Sequence, residues 1–546
     1  MESLIIRALL GAMPIIVSLA LMVFFNISAV KAMPPSWLLS VIIARVFWRM
    51  PADWIMAASL EGVLTALNIL IIVFGAVLLL NTMKLSGYLE VISKGFSSIT
   101  ADRRIQALLI GFGFATLIEG TSGFGTPAAL AAPLMVGIGF PPLAAAITAL
   151  IGHAPAVSFG AVGTPVLSGL APALNQPEIH EALHQPFSKW ILEDVSIWNA
   201  NFHFLGALIV PFLIVIYLTV YFGKGKGIRK SLAIWPLLLV TGLTFAATQN
   251  LITRLTGPEL PSITAGLMVI IVISLMARYQ ILIPGEVWLF PGEKIKTEEE
   301  RQGSLLMACL PYLLVILLLF VTRVEAFGLQ LYFSRPDLSI ANLLGTEIGW
   351  SWNWLYNPGI FPFIFVSAIS WLFYRMKGRE VREVVSLTSR QLLPATIAMC
   401  AAVAMAYVMM RSSYNLLQLD GMLISMAEAS SMVFNQAFPM VSPWIGILGS
   451  FISGSNTVSN IIFSSYQYQV ASELQLSRTV MVALQSTGAA VGNIISIHNI
   501  VAVLTVVGAL GKEGIVIRRN FLAVTIYAVV VGLAGMIVLR LFPYLF

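Results

Sequence analysis

Apolar runs long enough to cross a bilayer recur along this 546-residue chain, and some are interrupted by residues that hydrocarbon does not tolerate. A spanning helix needs about 20 predominantly apolar residues, and 69–80, 204–220, 305–321 and 521–538 are the cores of such runs. Lipid cannot satisfy a freed backbone amide, so runs of this kind must form helices. The stretch 118–127, Ile-Glu-Gly-Thr-Ser-Gly-Phe-Gly-Thr-Pro, breaks the pattern between two apolar flanks. It combines Glu119 with Gly120, Gly123 and Gly125, three hydroxyl side chains and a proline. A charged side chain at mid-bilayer costs about 2.5–3.5 kcal/mol or more. Such a stretch fits only where it lines a polar cavity inside protein, as discontinuous helices do in secondary carriers.

Composition agrees. Hydrophobic residues make up 58% and charged residues 10%, where a soluble domain carries roughly 25% charged residues. The net charge of +6 does not point to nucleic acid, because the basic residues cluster in short loops between spans. Cys309 and Cys400 lie in apolar runs and read as packing residues rather than a disulfide or metal pair. Residues 1–26 read as a first span rather than a cleaved leader.

Five basic loops set the expected topology. They carry Lys84, Lys94, Arg103 and Arg104; Lys224, Lys226, Arg229 and Lys230; Arg278, Lys294, Lys296 and Arg301; Arg375, Lys377, Arg379, Arg382 and Arg390; and Lys512, Arg518 and Arg519. All five are expected in the cytoplasm, with the less basic loops 178–198 and 323–349 and the carboxyl terminus outside. Residues 37–48 either span or lie in the interface. A weak internal repeat accompanies this alternation. The break at 120–127 has a counterpart in Ser453-Gly-Ser-Asn-Thr-Val-Ser-Asn460, and each is followed by a second break, at 159–165 and at 485–493. The flanking loops have opposite sidedness, the footprint of an inverted repeat with a site at the midplane. The expected fold is all-α and polytopic, with about 12–14 spanning helices. The first repeat is 1–280, with broken elements at 119–140 and 153–166. The second is 281–546, with broken elements at 443–466 and 485–500.

Thr100-Ala-Asp-Arg-Arg-Ile-Gln106, the 119–127 stretch, Val157-Ser-Phe-Gly-Ala-Val-Gly-Thr-Pro165 and the 453–460 stretch together resemble the lactate permease family. Ser455-Asn456-Thr457 also resembles the hairpin-tip motif of the wider ion-transporter superfamily. The resemblance covers about residues 5 to 540. It implies a bacterial or archaeal cytoplasmic-membrane carrier of lactate, glycolate or a related 2-hydroxy monocarboxylate, coupled to protons or alternatively to sodium, with two re-entrant hairpins meeting at the substrate. Two positions depart from the family pattern. Asn493 stands where the best-known lactate carriers have a lysine, and Arg411 where they tend to have an asparagine.

The candidate residues follow. Removal from water disfavours a charged carboxylate, so Glu119 is the leading proton carrier, with a structural capping role as the competing reading. His153 and His498, each beside a break, are further relay candidates; satisfied buried histidines are the plainer alternative. Gly120, Thr121, Ser122, Gly123, Gly125 and Thr126 in the first break, and Ser455, Asn456 and Thr457 in the second half, offer amides and hydroxyls to a small anion. The same side chains can instead bond neighbouring backbone. Thr164, Ser459, Asn460, Asn493 and Asn499 complete the expected substrate-binding set. Arg411 either grips the substrate carboxylate or Glu119, or snorkels to an interface. Glu61 and Glu428 read as interfacial or interhelical, and Trp350, Trp352 and Trp354 as interfacial belt residues. His180 and His184 read as solvated. No cofactor and no metal site is expected. The expected partners are the carboxylate, the coupling ion and lipid, and the oligomeric state is open. A serine–histidine hydrolase built on Ser122 and a passive channel are the rival functions.

Overall fold

The computed structural model describes residues 2–541 apart from 24, 26, 124, 224–226, 284, 294–303, 324–326, 330, 331, 334, 336 and 358. Lys224, Lys226, Lys294, Lys296 and Arg301 of the basic loops, and Phe124 of the first break, lie outside the described residues. The chain is the expected all-helical polytopic protein. Among the described residues, nine helices are long and apolar enough to cross a membrane, and four shorter apolar helices of 10–17 residues accompany them. The long and short helices together are consistent with the expected polytopic bundle, and stretches such as Thr126–Gly137 and Pro142–Gly152 are short because they form elements between breaks. One departure from pure helix is an antiparallel ribbon pairing Leu338–Ile340 with Trp350–Trp352. It places Trp350 and Trp352, read as interfacial belt residues, on a small strand.

Two very long helices, Ala52–Leu85 and Gly378–Met410, pack along one another. At 1.5 Å rise per residue each is about 50 Å long, more than the roughly 30 Å hydrocarbon core. Close approach depends on a missing side chain: a Cβ on Gly62 would stand 2.6 Å from the Cα of Ala404. Small residues let membrane helices touch backbone to backbone, and here they bring the ends of the two helices together.

The broken elements lie at the centre. Ala115–Thr121 stops at Ser122, and the chain restarts as Thr126–Gly137 after Gly123 and Gly125, both at positive φ. Phe438–Ser453 and Asn456–Glu473 are joined through Gly454 at φ 73° and extended Ser455. Between 153 and 166 the backbone is irregular, with Ala161, Val162 and Gly163 all at positive φ. The second break of the other half differs from expectation. The helix Arg478–Gly492 runs unbroken through 485–492, and regular structure lapses only at 493–496. The small residues there serve packing: a Cβ on Gly488 would meet the Pro443 carbonyl oxygen at 2.2 Å, and one on Gly492 that of Ile447 at 2.6 Å.

The basic loops gather at one end. Arg103 pairs with Glu293, and Arg104 donates to the Lys230 carbonyl at 2.8 Å. Tyr217 donates to the Arg519 carbonyl, and Tyr88 stacks on Tyr374 at 4.1 Å. All five basic loops or the residues flanking them therefore meet on one face. Asp102 organises it, capping Arg104 N–H at 2.9 Å, bonding the Arg104 side chain and accepting from Trp288 N–H at 3.0 Å. The 100–106 motif is thus an anchor for loops.

Candidate functional site

Sequence breaks from both halves converge on one buried point. Glu119 occupies the last turn of Ala115–Thr121 and is 3% exposed. Its carboxylate lies against the irregular segment, where a Cβ on Gly160 would stand 2.3 Å from Oε1. Gly160 therefore makes the space that the carboxylate occupies. Among the described residues, no hydrogen bond or ion pair reaches that carboxylate. Glu119, Gly123, Gly160, Ala161 and Pro165 from the first half, with Gly454, Ser455, Asn456, Thr457 and Asn493 from the second, enclose a cavity of about 20 Å³. A cavity of this size holds roughly one water. It does not hold a three-carbon acid, so a solute of that size needs the walls to move.

Around the cavity, donors and acceptors are unequally committed. Hydroxyls of the first break are engaged locally: Thr121 with the Ile118 carbonyl at 3.0 Å, Ser122 with the same carbonyl at 3.0 Å and with Thr126 at 2.7 Å, and Thr126 with the Gly123 carbonyl at 2.6 Å. Thr164 bonds the Ala161 carbonyl. This is local side-chain-to-backbone satisfaction, and it leaves the broken backbone as the other polar feature of this half. Ser455 caps Asn456–Glu473, accepting from Val458 N–H at 3.4 Å. The first amides of that helix therefore begin at the cavity wall, where the positive end of a helix favours an anion. Asn456 donates through Nδ2 to Ser158 at 3.3 Å and to the Ser486 carbonyl at 3.2 Å, while its Oδ1 is buried without a partner among the described residues.

Several expected residues stand back from the cavity. Asn460 donates to the Pro165 carbonyl at 3.1 Å and ties the two halves together. Ser459 bonds the Gly446 carbonyl at 2.9 Å within its hairpin. Asn499 donates to Asn493 Oδ1 at 2.9 Å, and its own Oδ1 lies where a Cβ on Gly125 would be, at 2.4 Å. Asn499 therefore positions Asn493 and the first break. His153 is buried with Nδ1 on the Ala149 carbonyl at 2.8 Å, within its own helix. His498 is exposed and packs its Cβ beside Gly454. Neither histidine lines the cavity.

Arg411 is not in the central cavity and does not pair with Glu119. Its Nε and Nη2 donate to Glu61 at 3.1 and 2.8 Å. The packing of Ala52–Leu85 on Gly378–Met410 dictates this, because Glu61 neighbours Gly62 and Arg411 immediately follows Met410. The neutral donors around Glu119 are therefore not supplemented by that guanidinium.

One residue escapes the sequence reading. His203 is fully buried, with Nδ1 on the Tyr527 hydroxyl and Nε2 on Ser158 Oγ, both at 2.7 Å. Ser158 in turn meets Asn456, so a polar chain runs from Tyr527 to the hairpin tip. The signal was present: Ser196, Asn199 and His203 lie three and four residues apart on one face of the otherwise apolar helix Ser196–Phe222.

A family model described as L-lactate permease matches residues 7–542. An L-lactate permease of Bacillus subtilis is 30% identical, over 88% of this chain and 86% of its own. The glycolate permease GlcA of Escherichia coli is 28% identical, over 97% and 95%. An L-lactate permease of Salmonella typhimurium is 26% identical, over 96% and 95%. These relatives are named as permeases, which sets aside the hydrolase reading.

Proposed function

The chain belongs to the L-lactate permease family, and from that premise we propose that it carries lactate, glycolate or a related small 2-hydroxy monocarboxylate across a bacterial or archaeal membrane. The observation that carries the reading is the meeting of breaks from both halves around Glu119, in a cavity walled by the amide-rich start of Asn456–Glu473. In this reading the substrate carboxylate takes the amides of the 455–457 tip, and the backbone freed at 122–125 completes its shell. The substrate hydroxyl, a donor, suits the unpartnered Asn456 Oδ1. Glu119 carries the proton, since a buried carboxylate without a partner is more stable neutral. An anion and a proton then cross as a neutral pair, which removes the cost of a net charge at the midplane. The two halves, 1–280 and 281–546, act as inverted repeats that rock around the site by alternating access. The small central cavity supports a motion of that kind, because binding requires the walls to separate.

Proteoliposome uptake tests this reading against a panel of labelled acids. Lactate and glycolate should accumulate and compete with one another. Transport of citrate or succinate, with lactate neither moved nor competing, would overturn it.

A further inference from the structure

The Glu61–Arg411 pair forms part of the wall of a second, larger polar cavity of about 570 Å³. Thr65 and Tyr407 extend its wall along the two long helices, and Asn175 and Trp350, which flank the loops expected outside, close it. This vestibule has room for a small carboxylate with water, where the central cavity of about 20 Å³ has not. The two are neighbours along the chain: Pro165 lines the central cavity, and Ala171 and Pro172 line the vestibule. The Trp350 indole N–H is buried without a hydrogen-bond partner among the described residues.

We propose that the vestibule is a second anion site, in which the carboxylate of a small monocarboxylate takes Arg411 from Glu61 before moving to the central cavity. The proposal rests on the reading of the chain as a monocarboxylate carrier. A guanidinium fork fits any carboxylate in the same two-point geometry, and Glu61 already shows that geometry with both oxygens engaged. Exchange of one carboxylate for another keeps the cation paired throughout, so no step leaves it buried and alone, which is the costly state. The released Glu61 carboxylate still faces the roomy, polar vestibule. Selection for a negative charge thus happens ahead of the neutral hairpin tips.

Equilibrium binding of labelled lactate to the purified full-length protein tests this, with uptake in proteoliposomes as the second readout. Glu61→Gln removes the guanidinium's counter-charge and one of its two acceptors and should tighten binding by about tenfold, and Arg411→Gln should weaken it by about tenfold. Arg411→Gln also strands Glu61 and can fail to fold, so the double variant Glu61→Gln/Arg411→Gln, which strands no charge, decides. It should bind about tenfold more weakly than the parent. Parent-like binding and uptake by the double variant, or no tightening in Glu61→Gln, would overturn the second site. A parent protein that neither binds nor moves any small monocarboxylate would instead defeat the functional reading beneath it.

Discussion

At the scale of single residues, Glu119 owes its place to an absence of atoms opposite it. The Cβ of an alanine at 160 would fall 2.3 Å from Oε1, inside contact distance, so Gly160→Ala must displace either the carboxylate or the 154–164 segment. Overpacking of this sort costs about 1–3 kcal/mol. Lactate uptake should fall at least about tenfold while the purified protein still elutes as a folded species; full uptake would show that the carboxylate position is unimportant. His203 makes a different prediction. His203→Phe leaves the Tyr527 hydroxyl without its partner, at about 1–3 kcal/mol for a buried orphan, and takes one of several partners from Ser158, which keeps the Ser486 carbonyl and Asn456. The melting temperature should drop, and substrate affinity should weaken through the Asn456 tip. An unchanged melt would mean the network is idle. Glu119 was legible in the sequence because a carboxylate in a glycine-rich break between apolar flanks is tolerated only beside a polar cavity. The pairing of Glu61 with Arg411 was not, because it depends on how two helices 350 positions apart happen to touch.

Whole elements read less evenly. The breaks at 122–125 and 454–455 were visible as polar, glycine-bearing interruptions, and both are real. The 485–493 stretch has a similar composition yet stays helical to Gly492. Glycine frees a backbone, but it also removes side-chain bulk, and composition alone does not say which property a site uses. Here the second property dominates, since Gly446 and Gly488 allow Phe438–Ser453 to lie on Arg478–Gly492. Gly488→Val should therefore lower the thermal stability or yield of the protein severely, because its Cβ would meet the Pro443 carbonyl oxygen at 2.2 Å. Gly454→Ala should act on the hairpin tip twice over. Its φ of 73° is unfavourable to a side chain, and a Cβ would stand 2.9 Å from that of His498. Substrate affinity should suffer more than the melting temperature, measured side by side. Equal losses in both would make the tip a structural joint only. The Leu338–Ile340 and Trp350–Trp352 ribbon was not legible, being two three-residue strands in a loop where tryptophans suggested an interface.

Across the whole molecule, the gathering of the basic loops on one face follows from charge pattern and was foreseen. Which residues meet at the centre depends on tertiary packing. The architecture holds a buried carboxylate at the convergence of four chain segments, with a wider vestibule toward one face. In the proposed transport cycle Glu119 carries a proton alongside the anion. The direct measurement compares two modes of labelled lactate flux in proteoliposomes holding the parent protein or Glu119→Gln: net uptake driven by an imposed pH gradient, and exchange against internal lactate without a gradient. A glutamine keeps the size and hydrogen-bonding of a neutral carboxyl but cannot release a proton. Glu119→Gln should lose gradient-driven accumulation by at least about tenfold while exchange continues. Accumulation by Glu119→Gln at the parent's rate and extent would contradict the claim.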